Sequence, residues 1–255
     1  MINYNKIRKN FETNGYMVIK NFLSKKKCNV FLKRIKKYAN NDYAPIMNPD
    51  REEFLISQTI DKILNHKYLG DKANFLYAIK KECAFFRSLM LNKKILKIIT
   101  KIKKKKVSAI MSQMIFKEKK TKYSKQSWLP HQDNSYPKNR NGQYITINIF
   151  MNKTTKKNGS LYIYENSHKY GIFKYIRKIS YREKDSKPGN YIVTDKFKKT
   201  DLCFNKGDML ILHGNLIHGS YSNNSNSSRP MYSVSYIPKG EKFIPGPNAQ
   251  RKVLN

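Results

Sequence analysis

The feature that most constrains the fold is a change in the spacing of apolar residues near position 107. In the region 71–100, apolar residues recur every three or four positions, as they do in amphipathic helices. From 107 onward, short segments rich in β-branched and aromatic residues are separated by Gly, Asn and Pro, which is typical of strands and turns. These segments are VSAIMSQMIFK, QYITINIFMN, GSLYIYEN, DMLILHG and PMYSVSYIP. The order predicts a mainly β domain, a barrel or a sandwich, with N-terminal helices packed against it.

The N-terminal segment adds a strand and a capped helix to this expectation. Tyr16 to Ile19 has the composition of a short strand, and Ser24 stands where a helix N-cap is expected. After Ser24, lysines occupy one helical face and apolar residues recur on the other, at Cys28, Phe31, Leu32 and Ile35. We therefore expect an amphipathic helix that packs against the β domain.

Length and composition favour one folded domain over residues 1–255, because 39% of the residues are hydrophobic and no linker or internal repeat is visible. The three cysteines (Cys28, Cys83 and Cys203) are far apart, which argues against a disulfide framework or a zinc knuckle. No apolar run is long enough for a signal peptide or a membrane span. These features predict a soluble protein in a reducing cytoplasm.

The net charge of +35 arises from 52 Lys and Arg residues against 17 acidic residues. Codon bias toward Lys, Asn, Ile and Tyr explains the lysines, but it does not explain the scarcity of acidic residues. The other interpretation is an anionic partner, such as nucleic acid, a membrane surface, or a phosphorylated or carboxylated substrate. The run KIKKKK at 101–106 fits a solvated helix end better than a binding patch.

The segment LPHQDNSYP places His131 and Asp133 two residues apart. In an extended segment such residues share one face, where an imidazole and a carboxylate can bind a divalent metal. A lone pair of this kind is equally compatible with an ordinary loop, so a third ligand from another strand is needed. The stretch GDMLILHGNLIHGS offers His213 and His218 for that position. Two histidines and one carboxylate with open positions form the ligand set of non-haem Fe(II) oxygenases.

Such iron sites usually bind 2-oxoglutarate, whose distal carboxylate needs a fixed cation. Arg229 lies eleven residues after His218 and has the planar fork that pairs with both oxygens of a carboxylate. Ser220 lies two residues after His218 and can add a hydroxyl to the same carboxylate. The spacing to Arg229 favours His218 over His213 as the third ligand, and His213 is expected to be a packed residue.

These motifs, in this order, resemble the phytanoyl-CoA dioxygenase family of Fe(II)- and 2-oxoglutarate-dependent oxygenases. The resemblance extends from FETNGYMVIKNFLSKKKC through HQD and NGSLYIYENSHKYG to GDMLILHGNLIHGSYSNNSNSSR. It implies a double-stranded β-helix (jelly roll) and iron ligation by His131, Asp133 and His218. It also implies 2-oxoglutarate binding by Arg229 and Ser220, with Gln113 and Asn148 near this cosubstrate.

The chain departs from the family pattern at two places. Glu165 and Asn166 replace the usual Pro-Gly before Ser167-His168, and Asn tolerates the left-handed conformation that such a turn requires. Asn148 stands where some members have Trp near 2-oxoglutarate. Around the metal, Gln132 and Tyr136 are candidate substrate contacts, and Trp128 is either a core residue or a wall of the substrate pocket. His168 fits a turn residue, and His66 fits the surface.

The resemblance implies an enzyme that uses dioxygen to hydroxylate a C–H bond of a small molecule while 2-oxoglutarate becomes succinate and CO2. The net charge of +35 suggests that this molecule is anionic. Asp133 favours hydroxylation over halogenation, while desaturation, epimerisation and ring closure stay open. Two alternatives remain: a nucleic-acid demethylase of the same iron class, suggested by the charge, and a non-catalytic jelly-roll binding protein. No recognised nucleic-acid motif is present, and the complete ligand set with Arg229 argues against a non-catalytic protein.

The region 168–200 is dense in Lys and Arg, interleaved with Tyr, Phe and Ile. In a jelly roll, an insertion between core strands lies at a barrel mouth, where loops can cover the metal. One hypothesis is a basic lid that recruits an anionic substrate, and its candidate residues are Lys174, Arg177, Arg182 and Lys184. A solvated loop whose lysines reflect codon bias explains the same composition.

Overall fold

A computed structural model shows antiparallel strands in two facing sheets, with helices against the outer face of the larger sheet. The structure describes residues 4–39, 47–48, 53–57, 88–117, 119, 127–135, 138–139, 141–174, 176–177, 190–192 and 194–241. This architecture confirms the predicted fold class, a mainly β jelly roll with packed N-terminal helices.

The described elements comprise three α-helices and thirteen strands, numbered in chain order. The helices are α1 (Tyr4–Asn14), α2 (Lys25–Ala39) and α3 (Lys93–Lys103). The strands before the metal motif are β1 (Tyr16–Ile19), β2 (Met47–Asn48), β3 (Glu53–Ser57) and β4 (Val107–Lys117). The later strands are β5 (Trp128–His131), β6 (Ile145–Phe150), β7 (Leu161–Tyr164), β8 (Ile176–Arg177), β9 (Asn190–Tyr191), β10 (Lys199–Asp201), β11 (Met209–His213), β12 (His218–Ser220) and β13 (Arg229–Pro238).

The strands pair in an order that differs from their order in the sequence. The larger sheet has the order β1-β11-β6-β13-β4-β3-β2, and the smaller has β10-β7-β12-β5. Strands β8 and β9 form a separate two-stranded ribbon. Because β5 and β12 are neighbours, the two segments that carry the predicted metal ligands meet in one sheet.

The central strands β6 and β13 of the larger sheet are buried on both faces. Side chains alternate between the two faces along each strand. On β6, Ile145, Ile147 and Ile149 pack on the helices. Phe150 packs inside, in a cluster shared with Leu161 of the smaller sheet. Alternate residues left on the inner face are therefore available to line a cavity between the sheets.

Several local predictions agree with the structure. The predicted strand Tyr16–Ile19 is β1, and Ser24 Oγ accepts a hydrogen bond from the Lys27 amide at 3.3 Å, as an N-cap does. The predicted helical region 71–100 is described from residue 88 onward, where it contains most of α3. Its earlier part lies outside the described residues.

The turn at Asn166 also agrees with expectation, since this residue adopts a left-handed conformation with φ 62°. Cys28 and Cys203 are free thiols, and Cys83 lies outside the described residues. None of the described helices combines the length and apolar character that crossing a bilayer requires.

Candidate metal centre

The predicted ligands His131 and Asp133 lie at the end of a strand. His131 is the last residue of β5, and Asp133 begins a 3-10 helix, Asp133–Ser135. The expectation that both residues lie in one extended segment was therefore wrong. The turn still brings the side chains together, with His131 Nε2 and Asp133 Oδ1 3.7 Å apart.

His218 completes the cluster from the neighbouring strand. In the antiparallel register of β5 and β12, His218 is paired directly with His131, and the two ring centroids are 4.4 Å apart. His218 Nε2 lies 3.6 Å from the same Asp133 Oδ1. The nearest nitrogen and oxygen ligand atoms of all three residues lie within 4.8 Å of one another.

The remaining ring nitrogens fix the orientation of both histidines. His131 Nδ1 is 2.7 Å from the Leu129 carbonyl oxygen, and His218 Nδ1 is 3.0 Å from the Leu216 carbonyl oxygen. A carbonyl oxygen accepts only, so each Nδ1 carries a proton, and each Nε2 is the ring nitrogen that faces Asp133. This arrangement is the usual support for metal-binding imidazoles.

Burial keeps the imidazole of His131 neutral at ordinary pH. Desolvation, followed by the neighbouring His218, lowers the pKa of His131 to about 4, against the opposing effects of Asp133 and the Leu129 carbonyl. The neutral imidazole is the form that binds a metal ion. Two imidazoles and one carboxylate, with further positions open, are a donor set that fits Fe(II).

Thr146 is a residue of this site that the sequence reasoning missed. Its Oγ1 donates a 2.5 Å hydrogen bond to Asp133 Oδ2, which leaves Oδ1 toward the two histidines. Thr146 lies on β6, two residues before Asn148, on the inner face of the sheet. The period-two alternation of ITINIF carried this signal, because Thr146 and Asn148 are its polar members.

The three candidate ligands lie in the wall of a cavity of about 310 Å³ between the sheets. Small-molecule sites typically span about 300–1,000 Å³. The cavity is lined by Ile115, Trp128, His131, Asp133, Tyr144, Thr146, Asn148, Leu161, His218, Gly219, Ser220, Arg229, Met231, Ser233 and Ser235. The predicted cosubstrate residues Arg229, Ser220 and Asn148 thus share one cavity with the metal ligands.

Of the other predicted side chains, the structure describes that of Gln132, which is not part of the described cavity wall. Gln132 is fully buried, donates to the carbonyl oxygens of Gly171 and Asn215, and accepts from the Phe173 amide. The prediction that Gln132 contacts substrate is corrected, because these hydrogen bonds hold its side chain between two loops, away from the cavity. Tyr136 and the side chain of Gln113 lie outside the described residues.

The two described histidines outside the metal cluster, His168 and His213, are packing residues. His213 lies next to Phe11 and His168, with ring centroids 5.8 and 5.4 Å away, and its Nδ1 accepts from the Asn215 amide. His168 Nε2 contacts the Glu12 carbonyl oxygen at 3.2 Å. His66 lies outside the described residues.

The basic insertion reaches the strand that carries His131. The amide of Ile192, next to β9, donates to the Pro130 carbonyl oxygen at 3.0 Å. Lys174 is exposed, and Arg177 lies on β8. Arg182, Lys184 and the side chain of Arg177 lie outside the described residues. The lid therefore stays a prediction.

Comparison with known sequences shows a match to the phytanoyl-CoA dioxygenase family over residues 11–231. The chain belongs to this family. Phytanoyl-CoA dioxygenase 1 of Oryza sativa subsp. japonica is 24% identical over 250 residues, covering 89% of this chain and 86% of the relative. Phytanoyl-CoA dioxygenase domain-containing protein 1 of Mus musculus is 21% identical over 273 residues, covering 93% and 91%.

Solved structures of similar fold include enzymes with this chemistry. The α-ketoglutarate-dependent epimerase SnoN from nogalamycin biosynthesis has a TM-score of 0.67 at 13% identity, covering 95% of this chain and 85% of that chain. EctD from S. alaskensis, solved with 2-oxoglutarate and 5-hydroxyectoine, has a TM-score of 0.66 at 13% identity, covering 100% and 85%. Family membership and the His-Asp-His cluster confirm the prediction of an Fe(II)- and 2-oxoglutarate-dependent dioxygenase.

Proposed function

We propose that this chain binds Fe(II) through His131, Asp133 and His218 and uses 2-oxoglutarate and dioxygen to hydroxylate a C–H bond of a small anionic molecule. The observation that carries the proposal is that the metal cluster, Arg229 and Ser220 line one cavity. When bound, iron supplies the activation of dioxygen that no amino-acid side chain provides.

The role of the protein in this chemistry is to hold the metal ion and to leave some of its coordination positions open. The three candidate ligands come from β5, the following 3-10 helix and β12. Carbonyl oxygens fix both imidazoles, and Thr146 fixes the carboxylate. Such support keeps the ligand geometry constant while other molecules enter and leave.

Arg229 is the candidate anchor for the distal carboxylate of 2-oxoglutarate. It is buried, its Nη1 lies 3.4 Å from Met231 Sδ, and it lines the cavity together with Ser220. A guanidinium can donate two parallel hydrogen bonds to a carboxylate, which fixes direction as well as position. With that end anchored, the 2-oxo acid end of the molecule would be free to reach the metal cluster, which lines the same cavity.

The other lining residues bear on the substrate. Trp128 and Tyr144 provide aromatic surface, while Ser233 and Ser235 provide hydroxyl groups. This mixture supports a small molecule, or the reactive end of a larger one, that has both apolar and polar parts. Related structures include an epimerase and a carbocyclase, so the fold is compatible with outcomes other than hydroxylation.

The test is a substrate screen with Fe(II)-loaded protein, 2-oxoglutarate and dioxygen, followed by measurement of succinate and product mass. Candidates are grouped as carboxylates, phosphates, acyl thioesters and neutral molecules. A gain of one oxygen identifies hydroxylation, loss of two hydrogens indicates desaturation or ring closure, and unchanged mass with altered stereochemistry indicates epimerisation. Asp133→Ala is the inactive control. A wild-type protein that binds neither Fe(II) nor 2-oxoglutarate would contradict the proposal.

The net charge of +35 makes nucleic acid the second candidate substrate. The same screen therefore includes single-stranded oligonucleotides with methylated bases. Oxidative demethylation with binding that weakens steeply as salt rises would favour this alternative. Succinate formation with a small molecule and none with oligonucleotides would exclude it.

A further inference from the structure

Lys117 and Arg229 are two buried cations on directly paired positions. Lys117 ends β4, Arg229 begins β13, and the antiparallel register places them opposite each other. Their exposed fractions are only 0% and 1%. Like charges directly opposite each other destabilise a sheet, and burial of each charge adds to the cost. Such an arrangement is typical of a site that binds a ligand of opposite charge.

Strand alternation puts Lys117 on the cavity side of β4. Ile115, two residues earlier, lines the cavity, and so do Arg229 and Met231 on the paired strand. Burial, together with the neighbouring Arg229, lowers the pKa of Lys117 well below its usual value. A negative charge near both residues would offset this penalty.

The ammonium group of Lys117 contacts a residue that itself lines the cavity. Lys117 Nζ donates to Ser220 Oγ at 2.8 Å and to the Tyr221 carbonyl oxygen at 2.5 Å. When Lys117 is protonated, its ammonium group only donates, so Ser220 Oγ accepts and the Ser220 proton points away from Lys117. The hydroxyl of Ser220 is therefore oriented as a donor to another group.

The neighbouring loop leaves space for the lysine stem. Gly159 has φ +92°, and a Cβ built there would lie 2.9 Å from Lys117 Cδ and 2.9 Å from the Tyr221 carbonyl oxygen. Asn223 Nδ2 donates to the Lys117 carbonyl oxygen at 2.7 Å. Hydrogen bonds thus hold both the main chain and the ammonium group of Lys117. Any residue larger than glycine at position 159 would narrow the space for the lysine side chain.

We propose that Lys117 is a positioning residue that makes this end of the cavity select a dicarboxylate. The inference rests on the proposed function, in which Arg229 pairs with the distal carboxylate of 2-oxoglutarate. Lys117 holds Ser220 as a donor to that carboxylate and places a second positive charge behind it. A 2-oxo acid of the same length that ends in a methyl group gains neither contribution. The charged end of the cosubstrate thereby becomes a condition for tight binding.

The test compares two ligands that differ only at this end. Binding of 2-oxoglutarate and of 2-oxopentanoate is measured by calorimetry on Fe(II)-loaded protein without dioxygen, and iron content is measured separately. The variants are Lys117→Met, which keeps the length and removes the charge, Lys117→Arg, Ser220→Ala and the double variant Lys117→Met/Ser220→Ala. Lys101→Met, at an exposed position on α3, is the matched control.

Lys117→Met should weaken 2-oxoglutarate binding about tenfold, the size expected for a lost hydrogen bond within a charged group, and 2-oxopentanoate binding less than about twofold. Lys117→Arg should restore most of the preference for the dicarboxylate. The Ser220→Ala substitution should weaken 2-oxoglutarate binding less in the Lys117→Met variant than in the wild type, because the lysine acts through the serine. Lys101→Met should leave both affinities unchanged.

Equal losses for both ligands in Lys117→Met, or no loss for either, would overturn the inference. Strictly additive effects of the two substitutions would overturn the route through Ser220. If Lys117→Met shows no cooperative thermal transition, it is not folded and its affinities are not informative. The ratio of the affinities for 2-oxoglutarate and 2-oxopentanoate in Lys117→Arg and Ser220→Ala then decides whether the inference holds. A wild type that binds iron but not 2-oxoglutarate contradicts the proposed function itself, whereas unchanged selectivity in the variants contradicts only the role of Lys117.

Discussion

His131 and His218 lie directly opposite each other on β5 and β12, with ring centroids 4.4 Å apart and each Nδ1 on a carbonyl oxygen. The pairing of two short strands therefore positions both imidazoles before any metal arrives. Asp133 Oδ1, the third candidate ligand atom, lies 3.7 and 3.6 Å from the two Nε2 atoms. A site assembled in this way depends on the ligands and on the groups that hold them.

Asp133→Ala should abolish stoichiometric Fe(II) binding and succinate formation, because two imidazoles alone are too few ligands for tight binding. Iron content after anaerobic loading and 2-oxoglutarate turnover are the measurements. Asp195→Ala, at an exposed position, should retain one Fe(II) per chain. Full activity of Asp133→Ala would mean that the metal site lies elsewhere.

Arg229→Ala should weaken 2-oxoglutarate binding by about 2–5 kcal/mol, because a buried carboxylate would lose its charged partner. Iron binding should stay close to that of the wild type. Calorimetry gives the affinity for 2-oxoglutarate, and Arg8→Ala is the control because Arg8 pairs with Glu12 on the surface helix α1. Unchanged affinity in Arg229→Ala would point to a different anchor.

Thr146→Val should lower the affinity for Fe(II) about tenfold or more, since partners of metal ligands typically contribute 10–100-fold. The substitution keeps the shape of the side chain and removes the hydrogen bond to Asp133 Oδ2. Competition with a chelator measures the affinity. Thr154→Val removes a hydroxyl that bonds the Asn152 carbonyl oxygen instead, and it should leave iron binding unchanged. Equal affinities for Fe(II) in Thr146→Val and Thr154→Val would show that Thr146 does not support metal binding.

The stability of the metal-free protein should fall as pH drops below about 6.5, and His213 should contribute to this loss. Burial, followed by the charges of Lys103 and His168, lowers the pKa of His213 to about 3. Between the unfolded and folded pKa values, only the unfolded state takes up the proton, so the contribution is present above pH 6.5 and is lost toward pH 3.

Each such group changes the free energy of unfolding by up to about 1.4 kcal/mol per pH unit in that window. His213→Gln, which can still accept from the Asn215 amide, should flatten the decline between pH 6.5 and 4.5. Thermal melts of both proteins across this range are the measurement. Parallel curves for variant and wild type would show that His213 titrates normally.

The basic insertion should make catalysis sensitive to salt if it recruits an anionic substrate. Once a substrate is known, kcat/KM should fall as ionic strength rises, because screening shortens the range of the attraction. Replacement of Lys174, Arg177, Arg182 and Lys184 by Glu should flatten that dependence. Lys153→Glu and Lys157→Glu, at exposed positions of another loop, are the controls. A neutral substrate, or a kcat/KM indifferent to salt, would exclude the lid.

The sequence by itself determined the local structure and the order of the functional residues. Period-two alternation predicts the strands. The cap at Ser24 and the left-handed turn at Asn166 follow from local residue preferences, and both features agree with the structure. The candidate ligands His131, Asp133 and His218 were identified because their spacing resembles a family motif. All of this information lies within short stretches of chain.

Only the tertiary structure decided which side chains share a space. Thr146 reaches Asp133 and Lys117 reaches Ser220 because the two sheets face each other: β4 and β6 belong to the larger sheet, and β5 and β12 belong to the smaller one. Lys117 and Ser220 are 103 residues apart in the sequence. Gln132 lies between two candidate metal ligands in the sequence, yet its side chain donates hydrogen bonds to the carbonyl oxygens of Gly171 and Asn215. Strand register and the direction of each side chain depend on pairing between distant segments, and no local pattern contains that information.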